Sequence, residues 1–273
     1  MERLNRIMSH LGEEELVDVK QQQQLVSQGV SNEESKDPSN TLSWANRLRW
    51  SGWGYHDTAF DINDKGEAYL KGTRYLFSGK TLPHLRPWME ENAGLDIDNA
   101  SPAQDDCPVP PPQQNEGFLA EIKDQYAAIS TTDKERLFHA HGHTTQELFK
   151  LRWGEFKRVP DVVIWPGSNE HVEAIVKAAV THNCVIIPYG GGTNVTQALL
   201  PPEDEKRFII SLDMHAMGRI KWVDRVSMTA CIEAGAVGKE LEARLDDLGL
   251  VLGHEPDSLE FSTLGGWISK PPF

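Results

Sequence analysis

Cys184-Val185-Ile186-Ile187-Pro188-Tyr189-Gly190-Gly191-Gly192-Thr193-Asn194 is the stretch on which the fold turns. Its first half is an apolar run of strand length, and its second half is a turn built from glycine. Three glycines let a backbone adopt positive φ and approach a ligand closely. Successive N–H groups in such a turn point inward and form a nest for an anion. Thr193 and Asn194 add side-chain donors to that nest. A pyrophosphate, with many acceptor oxygens and little space for side chains around it, suits this arrangement. A triple glycine alone is also what a tight turn needs. The spacing is neither the Gly-x-Gly-x-x-Gly of a Rossmann unit nor a Walker loop.

The surrounding sequence alternates in the same sense. Val162–Ile164 reads as a strand stopped by Pro166, and Ser168 caps a helix predicted to reach Asn183. Strands are predicted at Phe208–Asp213, Ile220–Asp224 and Met228–Glu233. A helix follows over Val237–Leu248, ended by Gly249, and then a short strand at Leu250–Gly253. From Arg158 onward this is a mixed α/β domain. Upstream, helical spacing covers Phe118–Ser130 and Thr132–His139, with Gly142 as the stop. Residues 93–115 hold the proline run Pro108, Pro110, Pro111 and Pro112 and read as a linker. Before it, an aromatic-rich region predicts a helix at 41–49, a hairpin near 58–62 and 67–71, and a helix from Thr81 to Asn92. Residues 12–40 are rich in Glu, Gln, Ser and Asn and read as a flexible linker. The predicted organisation is α+β: 1–40 address and linker, 41–115 aromatic region and second linker, 116–157 helical segment, 158–273 nucleotide-binding domain.

Composition removes several function classes. A net charge of −14 without a Lys/Arg cluster argues against nucleic-acid binding. No apolar run approaches the roughly 20 residues that span a bilayer. Cys107, Cys184 and Cys231 are odd in number and widely spaced, which reads as reduced thiols and not a disulfide framework. His139, His141 and His143 lack an accompanying Cys or carboxylate cluster, so they are read as structural or substrate-side groups and not as metal ligands. At the start, Leu4, Ile7, Met8 and Leu11 form an apolar helical stripe, with Arg3, Arg6 and His10 off it. Arg3-Leu4, five residues, His10-Leu11 matches a type-2 peroxisomal targeting signal, an address read by an import receptor.

A second motif joins the first: Gly253-His254-Glu255-Pro256-Asp257-Ser258-Leu259-Glu260-Phe261-Ser262-Thr263-Leu264-Gly265-Gly266-Trp267. Together they resemble the FAD-binding PCMH-type domain of the vanillyl-alcohol oxidase superfamily. Trp50-Ser51-Gly52-Trp53-Gly54-Tyr55, His139-Ala140-His141-Gly142-His143 and Ile209-Ile210-Ser211-Leu212-Asp213 narrow the likeness. With them, the chain resembles the alkyldihydroxyacetonephosphate synthase family of ether-lipid synthesis.

That resemblance implies FAD as cofactor. Its pyrophosphate loop maps onto Pro188, Tyr189, Gly190, Gly191, Gly192, Thr193 and Asn194. The second FAD segment maps onto Asp257, Ser258, Leu259, Glu260, Phe261, Ser262 and Thr263. The family commonly has Ser where Asn194 stands. It implies acyl-dihydroxyacetone phosphate and a fatty alcohol as substrates, and a homodimer and dihydroxyacetone phosphate acyltransferase as partners. In the family the flavin carries no net redox change. After Ser269 the sequence leaves the family pattern with Lys270-Pro271-Pro272-Phe273. The family's next FAD motif and its substrate-binding cap, with the catalytic groups, are therefore not expected in these residues. The resemblance then implies weak FAD binding or none, and no transferase activity, for the chain as it stands. A lactate- or glycolate-type flavin dehydrogenase and a non-catalytic interaction fragment are the alternatives.

Overall fold

The computed structural model describes residues 43–99, 102 and 104–269, so the targeting pattern and the linker at 12–40 lie outside the described residues. The described chain opens with a 3-10 turn, Trp44–Asn46, where a helix over 41–49 was expected. β1 (Phe60–Ile62) and β2 (Ala68–Leu70) form the predicted hairpin, with Phe60 opposite Leu70. The Asn63 side-chain oxygen accepts from the amides of Lys65 and Glu67 across the turn, and Gly66 takes φ 77°. β3 (Thr81–Leu82) pairs with Ala68 and Tyr69 before the helix can start, so α1 runs over Leu85–Ala93.

The expected helix Phe118–Ser130 is half right. α2 (Glu116–Glu121) is capped by Asn115, whose side chain accepts from the Phe118 amide. Asp124, at φ 63°, then turns the chain, and β4 (Ala128–Ser130) pairs antiparallel with Val163–Trp165. Sheet pairing overrides the helical spacing there. α3 (Asp133–Phe138) begins on the predicted Thr132 cap but ends at His139, not at Gly142. α4 (Thr145–Trp153) was not anticipated, although Thr144 and Glu147 make a capping box at its start.

β5 (Val162–Trp165) leads through α5 (Asn169–Thr181), capped by Ser168, to β6 (Val185–Tyr189) and then β7 (Ile209–Asp213). The sheet order is β4-β5-β7-β6, with β5, β7 and β6 parallel. β5 and β7 are buried along their full length, as expected for parallel strands covered on both faces. Phe118, Ile122, Val162, Ile175 and Ile210 pack together as the main core. β8 (Ile220–Asp224) and β9 (Thr229–Ile232) form a separate hairpin, against which α6 (Gly238–Asp247) buries Leu241 and Leu245. Gly249 follows α6 at φ 67°, as predicted. Leu250–Gly253 forms no strand; Val251 is 86% exposed and nothing pairs with it. α7 (Leu264–Ser269) ends the described chain.

The proline run lies along the domain. The buried guanidinium of Arg136 donates to Pro110 O at 2.7 Å and to Pro160 O at 2.9 Å. Arg158 forms a bidentate pair with Asp161, whose carboxylate also accepts from the amides of Gln113 and Ile209. Cys107 packs with Leu137, Leu151 and Phe156.

Candidate functional site

β6 ends at Tyr189, in register with Asp213 at the end of β7. Ligands of open α/β sheets sit at this carboxyl edge, and the glycine turn begins there. The two segments read as cofactor loops meet at this edge. A Cβ on Gly191 would lie 1.9 Å from Phe261 O, and one on Gly190 would lie 2.3 Å from Thr263 Oγ1. Only Gly192 has positive φ, at 67°. Close approach of the Phe261 backbone therefore demands Gly191, the Thr263 side chain abuts Gly190, and turn geometry demands Gly192. The second segment is itself fixed: Ser258 O accepts from the amides of Phe261 and Ser262, and Trp267 Nε1 donates to Ser262 Oγ.

The turn presents unused donors. The amides of Gly191, Gly192 and Thr193 donate to no acceptor among the described residues, and neither does the Thr193 hydroxyl. Amides of this kind are the donor set an anion takes. Asn194 braces the turn. Its Oδ1 accepts from the Ala198 amide, and its carbonyl accepts from the His143 amide at 2.9 Å. Glu260 is engaged too: Tyr75 Oη and Lys239 Nζ donate to its carboxylate at 3.0 and 3.1 Å. Burial and that carboxylate push Tyr75 up to about 12. Asp257 is exposed at the rim.

Beneath the turn lies a buried polar network. His139 Nδ1 shares a hydrogen bond with Glu135 O at 2.8 Å, and its Nε2 one with Asp213 Oδ2 at 2.8 Å. The other Asp213 oxygen accepts from the His215 amide and meets His215 Nδ1 at 2.6 Å. Burial alone would raise Asp213, but His215 and His139 hold its carboxyl well below the usual range. The Tyr189 ring lies 4.2 Å from His139, so the network props the strand end that launches the loop.

Facing the loop is a narrow cleft. Gly191 and Gly192 line one side, and Arg49, Trp53, His141 and His143 line the other. Gly142 lets the histidine turn close on the loop, since a Cβ there would sit 2.3 Å from Asn194 O. His143 stacks on Trp53 with ring centroids 3.9 Å apart. The three histidines thus have separate places: His139 under the sheet edge, His141 and His143 in the cleft. Among the described residues no group of three His, Cys, Asp or Glu is placed to hold a metal. Arg49 and Trp53 were not read as site residues from sequence. The signal was there in Arg49-Trp50-Ser51-Gly52-Trp53-Gly54, where glycines beside aromatics mark a turn that approaches something.

A parallel strand running into a glycine turn whose amides are unpaired among the described residues, with a second loop against it, is the class of site that takes an anionic nucleotide. Residues 160–271 match the family described as FAD binding domain, and FAD is the cofactor of that fold. The chain is 46% identical to the alkyldihydroxyacetonephosphate synthase of Caenorhabditis elegans over 224 residues, which are 81% of this chain and 38% of that protein. It is 36% identical to the synthase of Dictyostelium discoideum over 252 residues, 88% of this chain and 41% of that protein. A solved alkyldihydroxyacetonephosphate synthase superposes with a TM-score of 0.75 at 35% identity, covering 83% of this chain and 44% of that one. By sequence and by fold the chain is similar to the N-terminal part of the alkyldihydroxyacetonephosphate synthases. It spans about two fifths of the length of these relatives.

Proposed function

We propose that this chain supplies the FAD-binding part of an alkyldihydroxyacetonephosphate synthase. In that reading it serves the exchange of the acyl chain of acyl-dihydroxyacetone phosphate for a fatty alcohol, a step of ether-lipid synthesis. The observation that carries the reading is the meeting of Gly190–Gly192 with Phe261–Thr263 around amides that no described residue uses. Those amides and the Thr193 hydroxyl hold the pyrophosphate. Phe261 and Trp53, both at the cleft, shield it from water. When bound, FAD supplies the flavin N5 as the reactive centre for the exchange. The remaining segment residues, Asp257 to Glu260, set the path of the second loop beside the cofactor.

Flavin fluorescence tests this directly. FAD titrated into the purified chain should be quenched saturably, and Gly191→Val should abolish the quenching, because the side chain strikes Phe261 O and displaces the loop. Quenching retained in Gly191→Val would reduce the loop to a simple turn.

The same reading sends the protein to peroxisomes through Arg3-Leu4 and His10-Leu11, with the import receptor as partner. A reporter carrying residues 1–11 should be peroxisomal and should turn cytosolic on Arg3→Ala with His10→Ala. A homodimer and the acyltransferase of the same pathway are the further partners this reading carries.

A further inference from the structure

The matched FAD domain covers residues 160–271, yet one wall of the cleft comes from outside it. Arg49 lines that wall and is half-buried. Its backbone amide is bonded to Gly54 O, but its guanidinium has no hydrogen bond and no ion pair with any described residue. Every other described arginine is engaged with a carboxylate, a carbonyl or an aromatic ring. In a chain of net charge −14, a half-buried arginine left unpaired beside unused amides is placed for an anion.

Next to it stand two imidazoles with buried ring nitrogens that meet no partner among the described residues: His141 Nε2 and His143 Nδ1. His141 is 5% exposed, and its Nδ1 lies 2.8 Å from Gly142 O. A nitrogen facing a carbonyl carries the proton, so Nε2 is a bare acceptor. A buried acceptor without a donor is costly unless something supplies one. Burial also lowers the proton affinity of both rings, which keeps them neutral. Neutral imidazoles suit hydroxyl groups and not a second anion. In FAD a hydroxyl-bearing sugar or ribityl chain adjoins the pyrophosphate on either side.

We infer that Arg49 and the His141–His143 turn form the second half of the dinucleotide site. Arg49 binds the pyrophosphate opposite the amides of Gly191 to Thr193. His141 and His143 bind hydroxyls of the chain next to it. This rests on the FAD reading above and extends it to residues outside the matched domain.

The test is the FAD dissociation constant of the whole chain, read from flavin fluorescence at two salt concentrations. Arg49→Met should weaken FAD about tenfold, as expected for one charge-assisted hydrogen bond, and should reduce the salt sensitivity. His141→Phe, with a far-ultraviolet circular dichroism spectrum matching the unsubstituted chain, should also weaken FAD several-fold. Competition by FMN and by ADP against FAD tells the sources apart. Loss of FMN competition in His141→Phe assigns the ribityl hydroxyls, and loss of ADP competition assigns the adenosine ribose. Unchanged FAD affinity in Arg49→Met, while Gly191→Val abolishes binding, would overturn this inference and leave the FAD reading standing. Absence of FAD binding by the unsubstituted chain would overturn both.

Discussion

Gly191 and His143 sit on opposite sides of one cleft, and each shows what a residue carries that its letter does not. That the triple glycine meant close approach was legible. What it approaches, the Phe261 carbonyl some seventy residues on, was not, because no local pattern reports a long-range contact. His143 was legible only as one of three spaced histidines. Its consequence comes from burial, which lowers it to about 4 from an ordinary 6.5, with the neighbouring His141 adding to the shift and Glu147 opposing it. Between those values the unfolded chain takes up a proton that the folded chain refuses. Stability is therefore complete above about pH 6.5 and declines as pH falls through that window to about 4, where the loss levels off. His143→Phe keeps a flat ring on Trp53 and removes the titration. Its urea-unfolding free energy, measured from about pH 7.5 down to about pH 4.5, should slope less steeply than that of the parent. Equal slopes would assign the acid sensitivity elsewhere.

Elements were legible where local chemistry and tertiary pairing agree. β5, α5, β6, β7 and α6 fall within a residue or two of their predicted places, because apolar runs, the Ser168 cap and Gly249 all point one way. β4 was hidden because its three residues continue a helical spacing and become a strand only by pairing with β5. α4 was missed although its capping box, Thr144 with Glu147, is a purely local signal. The proline run shows a subtler gap. Composition marked it as a linker, and Arg136 ties it to the start of β5 from α3. Arg136→Met keeps the stem but leaves the Pro110 and Pro160 carbonyls without their donor. The cost should be about 3 kcal/mol. Thermal unfolding should fall by several degrees, and proteolysis should begin within 104–115. A variant that melts with the parent would show that the strap is held by packing alone.

Across the whole molecule, the aromatic region and the flavin domain share one core. Trp44, Phe138, Tyr189, Val237 and Phe261 pack in a single cluster, so residues before 60 and after 260 are contiguous in space. The Trp44 ring lies 5.0 Å from His215, meets Phe261 edge-on at 6.4 Å, and carries Arg47 over its face. Through His215 it touches the network that props Tyr189, and through Phe261 it touches the second loop. Sequence boundaries at 41–115 and 158–273 follow composition, but cooperativity follows burial. The chain should therefore unfold in one transition from residue 43 onward, with tryptophan fluorescence and far-ultraviolet circular dichroism melting together. Trp44→Ala empties a site that is 6% exposed and should cost about 3–5 kcal/mol. Because that cost falls on the shared core, the variant should move both signals equally and weaken FAD along with them. Two separated transitions, or a Trp44→Ala variant in which only the fluorescence shifts while FAD affinity stays at the parent value, would show that the aromatic region is an independent unit resting on the flavin domain.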